Sequence, residues 1–249
     1  MRTANPALST KTFGGFVNIR PSATSMSISG SANKTAIFLA LALVAAIVPW
    51  RLFFKTGEPS VLLPYLIGGM VVGLVAGFVT IFKKEWAMVT GSVYAVAQGC
   101  ALGAVSALFE LKYPGIVLQA VGLTFGTLAA LLMAYKSRLI KVTENFKLGV
   151  VAATGAIALF YLAAMVLRMF GINMPLIHSS GTFGILFSVA VVVVAAMNLV
   201  LDFDFIEQGA AQGAPKYMEW YAAFGLMVTL VWLYLEFLRL LAKLQDRRR

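Results

Sequence analysis

Long apolar runs alternate with short polar links along almost the whole chain. The runs lie at about 35–54, 61–82, 86–109, 116–135, 148–170, 181–201 and 220–241. An α-helix needs about 20 apolar residues to cross the hydrocarbon core of a bilayer. The links carry turn and cap residues, as in Thr56-Gly-Glu-Pro59, Lys112-Tyr-Pro114-Gly115 and Gly213-Ala-Pro215. Short links of this kind make consecutive helices antiparallel neighbours. The pattern predicts an all-α integral membrane protein, a bundle of seven transmembrane helices over residues 34–249. Residues 1–33 are rich in Ser, Thr, Asn and Gly and read as a flexible cytosolic arm. No basic stretch leads directly into an apolar run with a small-residue cleavage site, so the first helix is expected to act as its own insertion signal.

Composition agrees. The chain is 60% hydrophobic and 12% charged, where a globular domain is about 45–50% apolar and about 25% charged. The net charge of +10 resides in links and termini; it reads as topology signal and lipid contact, not as a nucleic-acid surface. With the N-terminus in the cytosol, eleven Lys and Arg fall on the inner side and four in the outer links. Five more follow in the C-terminal end and oppose that orientation. Seven spans are expected, with six spans and a re-entrant segment as the alternative.

Small residues recur four apart, a spacing that lets helix backbones approach closely. They are Gly69, Gly73 and Gly77 in the second run, Gly91, Ala95, Gly99 and Gly103 in the third, and Gly122 and Gly126 in the fourth. All are expected to pack helices within the bundle.

Charge inside hydrocarbon is costly and faces a partner or a water-filled path. The sixth run ends in Asn198-Leu-Val-Leu-Asp202-Phe-Asp204-Phe-Ile206. Asn198 and Asp202 share a helical face, whereas Asp202 and Asp204 point about 200° apart, so one is inward and the other solvated. Glu236 lies well inside the seventh run, with Thr229 and Trp232 on its side and Arg239 three residues on as a possible intrahelical partner. Gln98 is a mid-span polar residue suited to hydrogen-bond a neighbouring helix. Arg168 reads as an interfacial anchor and His178, the only histidine, as a link residue. Cys100 is the only cysteine, which excludes an intrachain disulfide and a cysteine-based metal cluster. No nucleophile–base constellation, zinc-protease motif or phosphate-binding loop is present, so no enzyme is expected.

Three stretches resemble the Bax inhibitor-1 (transmembrane BAX-inhibitor-motif) family, on its YccA-like bacterial branch. They are the Asn5-Pro6-Ala-Leu-Ser9 opening with the Met26-to-Lys34 approach to the first span, the Asp202-x-x-x-Ile206 helix, and Leu233-Tyr-Leu-Glu236. The last is similar to the family's Leu-Tyr-Leu-Asp. The likeness covers essentially the whole chain.

The resemblance implies a pH-sensitive calcium leak in the bacterial cytoplasmic membrane, controlled by an intramembrane carboxylate pair. Carried over by motif, that pair is Asp202 and Glu236, with Asn198 beneath it. Asp204, Arg239 and Gln98 are secondary candidates. Two carboxylates within reach of each other share a proton, and hard carboxylate oxygens suit transient calcium contacts. No cofactor is implied beyond calcium as the permeant ion. The other function that the resemblance implies is an interaction partner that restrains a membrane-bound AAA protease, through the arm of residues 1–33. The sequence departs from the family in three ways. The seventh-span acid is Glu, the second span lacks the family's arginine and ends in Lys83 and Lys84, and a long link separates the two acids. They come level only if the sixth helix extends past Asp202 and the seventh begins with a cytosolic overhang through Trp220.

Overall fold

The computed structural model describes residues 25–171 and 181–248. The Asn5–Ser9 opening, the rest of the arm through residue 24, and His178 lie outside the described residues. Among those described, every long element is a helix: α1 (Ile28–Thr56), α2 (Leu63–Phe82), α3 (Ala87–Lys112), α4 (Ile116–Lys136), α5 (Glu144–Met169), α6 (Thr182–Ala211) and α7 (Met218–Arg248). All seven are long and apolar enough to cross a membrane. α1 starts at Ile28, so residues 28–33 of the expected arm are helical. Ser27 caps that start, its hydroxyl accepting from the Gly30 amide, as N-cap serines do.

The ends of the helices settle the number of crossings. The Ser27 amide and hydroxyl both donate to Glu219 in the first turn of α7, at 2.8 Å each. The Met26 amide donates to the Ala214 carbonyl at 2.6 Å. The starts of α1 and α7 therefore lie at the same end of the bundle, which requires an even number of crossings between them. Six full spans meet that condition; five and a re-entrant loop do not. At the opposite end, the Tyr113 hydroxyl donates to Asp246 near the close of α7, at 2.5 Å.

α7 forms the axis. It is the most buried span, and α1, α3, α4 and α6 surround it. Phe38 of α1 packs on Trp220, Tyr94 of α3 meets Phe224 edge-on at 5.0 Å between ring centres, and Ser106 of α3 hydrogen-bonds Tyr234 at 2.6 Å.

Small residues set the α1–α2–α3 spacing. A Cβ on Gly99 or Gly103 would fall 2.3 Å from the carbonyl oxygen of Ala42 or Ala46 in α1. A Cβ on Gly69 would fall 2.5 Å from the Ala97 carbonyl oxygen, and Gly73 lies under the Gln98 amide. Gly122 and Gly126 differ from expectation: nothing lies within 4 Å of a Cβ at either. They face away from the bundle, so the spacing that marks close packing in α2 and α3 has no such role in α4. Pro49 interrupts the hydrogen-bond ladder of α1, which leaves the Ala45 carbonyl without its usual donor. The Cys100 thiol of α3 approaches that carbonyl at 3.9 Å.

Candidate functional site

α5 is the span least buried by the bundle. Only Lys147 and Val150 are buried along its length. Three of its polar side chains recur every seven residues and so share one face. Lys147 forms an ion pair with Asp204 of α6 at 3.2 Å. Thr154 accepts a hydrogen bond from the Asn198 amide of α6 at 2.8 Å. Tyr161 donates to Glu236 of α7 at 3.2 Å and accepts from Arg239 at 2.7 Å. Seven residues of helix rise about 10 Å, so this stripe runs about 20 Å along α5. Polar links of this kind hold transmembrane helices together where the hydrophobic effect gives no help.

Four of the six sequence candidates, Asn198, Asp204, Glu236 and Arg239, thus meet along α5. Arg239 donates to both Glu236 oxygens, at 2.7 and 2.9 Å. The intrahelical pair is present, with Glu236 1% exposed and the Arg239 side chain 37% exposed. The Trp232 indole adds a third donor at 3.3 Å. Asp202 and Asp204 point to different sides of α6, as their spacing requires. Asp202 is 1% exposed in the core. Asp204 faces α5, where the Gln208 amide also reaches it at 2.6 Å, so it is a tie to α5 and not a solvated bystander. Gln98 packs on Gly73 between α3 and α2, outside the stripe. Arg168 closes the last turn of α5.

Asp202 and Glu236 do not come level. α6 does extend past Asp202, to Ala211, and α7 does start before Trp220, at Met218. The two helices form a hairpin, and Asp202 stands nine residues from its end of the turn while Glu236 stands eighteen from the other. A second register mark agrees, because Lys243 of α7 donates to Gly184 and Ser188 of α6 at 3.0 and 2.9 Å. Together these place Asp202 opposite Met227–Thr229, about 10–14 Å along the axis from Glu236. The side chains do not span that gap. The shared-proton pair and a calcium contact made by both carboxylates at once are therefore not formed in this structure. Among the described residues, no group of three acidic, His or Cys side chains is placed to hold a metal ion.

Sequence reasoning missed the three α5 residues. Their seven-residue recurrence was a readable sign, although each side chain alone is ordinary. It also missed Glu219, which is fully buried and bound by Ser27, Lys34 and Lys216.

The family model described as Bax inhibitor 1 like matches residues 5–246. No curated protein and no solved structure matches the chain.

Proposed function

The chain belongs to the Bax inhibitor 1 like family, and from that premise we propose that it is a pH-sensitive cation leak with calcium as the permeant ion. Its place is the bacterial cytoplasmic membrane, with the N-terminus in the cytosol, the orientation that the basic links favour. The supporting observation is the attachment of α5: this thinly buried helix is tied to the core by the stripe that ends on Glu236. Protonation of Glu236 takes away the charge that Arg239 neutralises and weakens the acceptor for Tyr161. The outer part of α5 then loosens from α7, and a path opens beside Asp202 and Asn198. Acid therefore raises the leak. The two acids act at separate levels, Glu236 on the gate and Asp202 on the path.

Calcium flux into proteoliposomes, followed across pH, tests this reading. Glu236→Gln mimics the protonated acid; it should raise flux at neutral pH at least about fivefold and flatten the pH response, the scale of an ordinary coupling between sites. Asp202→Asn should lower flux while leaving the pH response in place. Flux and pH response that match wild type in both variants sink the proposal.

A further inference from the structure

Lys243 is a buried cation that the polar stripe does not use. It lies one turn past Arg239 on α7 and is 5% exposed. Its ammonium donates to the Gly184 carbonyl at 3.0 Å and to the Ser188 hydroxyl at 2.9 Å, both in the first turns of α6. Ser188 is itself fully enclosed, at 1% exposure. Among the described residues, no carboxylate lies within ion-pair distance of Lys243. An ammonium taken out of water without an acid partner is expensive. Leu or Met would fill the same space without that cost. Packing therefore does not account for a lysine here.

An ammonium does what a methyl group cannot: it offers three donors to surrounding oxygens. In doing so it occupies the position of a small monovalent cation among neutral oxygen ligands. We propose that the Gly184 carbonyl and the Ser188 hydroxyl form a monovalent-cation site at the end of α6–α7 remote from their turn, and that the Lys243 ammonium fills it as a tethered plug. The site stands on this geometry alone, whereas the plug rests on the leak reading above.

Placement agrees with a plug. Lys243 follows Glu236 by seven residues on the same face of α7, about 10 Å further along the axis. A cation arriving from that side meets the Lys243 ammonium before it reaches Glu236, until the lysine leaves. Leaving is feasible, because the stem is flexible and α7 ends at Arg248, close enough for the amine to reach the membrane boundary.

The probe is propylammonium, which restores the part of the side chain that Lys243→Ala removes; propanol is the uncharged control. The purified full chain in detergent should melt lower as Lys243→Ala and recover with millimolar propylammonium but not with propanol. In proteoliposomes the same variant should leak cations at least about fivefold faster than wild type. Propylammonium should restore the block, and Lys243→Arg should keep it. Lys243→Met provides the flux comparison if the alanine variant does not fold. A folded Lys243→Ala whose melting ignores propylammonium overturns the cation site. Rescued melting with wild-type flux, while Asp202→Asn still changes flux, overturns the plug and leaves the site. No flux in wild type, Lys243→Ala and Asp202→Asn alike overturns the leak reading and the plug with it, and the melting rescue then decides the site alone.

Discussion

Glu219→Gln is expected to lower the melting temperature in detergent more than any other single polar substitution. Glu219 is fully buried at the start of α7. Its carboxylate accepts from the Ser27 amide and hydroxyl and is paired with Lys34 and Lys216. A neutral amide keeps the shape but leaves Lys34, whose side chain is 15% exposed, without its counter-charge. Removing one partner of a buried pair costs about 3–5 kcal/mol, and in a chain of this size each kcal/mol moves melting by roughly 2–4 °C. The expected drop is thus about 6–20 °C. Lys34→Met should cost a comparable amount. The double variant should cost less than the two losses together, because it leaves no lone charge. A drop below about 2 °C for Glu219→Gln, a single surface-pair loss on the same scale, contradicts this account. Gly30 belongs to the same joint. A Cβ there would lie 2.1 Å from a Glu219 carboxylate oxygen, so Gly30→Ala should disturb it as well.

Gly99→Ala and Gly103→Ala should each destabilise the bundle, whereas Gly122→Ala and Gly126→Ala should not. In α3 the added methyl meets backbone of α1 at 2.3 Å, and backbone cannot rotate aside as a side chain can. Such overpacking costs about 1–3 kcal/mol, and more where a whole helix must shift. In α4 the methyl enters open space, and an alanine in a helix is about 1 kcal/mol better than glycine. Equilibrium unfolding in mixed detergent separates the two pairs by sign. Equal losses at all four positions would mean that α4 packs in the same way as α3.

The seven helices were legible because each span needs about 20 apolar residues and nothing else in the chain has that length. Their ends were not. Hydropathy reports contact with lipid, and α6 continues to Ala211 where Phe203, Phe205 and Ile206 pack on protein instead. The overhang of the sixth and seventh helices, the condition set for Asp202 and Glu236 to meet, is present. It does not bring them level, since both helices lengthen around the turn and the offset between the acids survives. Asn198, Asp204, Glu236 and Arg239 could be picked out because polar residues in apolar runs stand out. Their partner on α5 stands out less, because Lys147, Thr154 and Tyr161 signal only as a set recurring every seven residues. The Ser27–Glu219 joint was hidden for a different reason: 192 residues separate its two halves, and no local pattern records a contact at that range.

That separation also bears on how the molecule is made. Chains emerge N-terminus first, so α1 enters the membrane carrying Lys34 and Ser27 long before Glu219 is synthesised. Until then, the lysine and the helix cap wait without their acceptor. The arrival of the last helix satisfies them and supplies the axis around which the earlier ones close. A ribosome that stops short of residue 219 leaves a bundle with an unneutralised cation at its edge, a chemical mark by which an incomplete chain differs from a finished one.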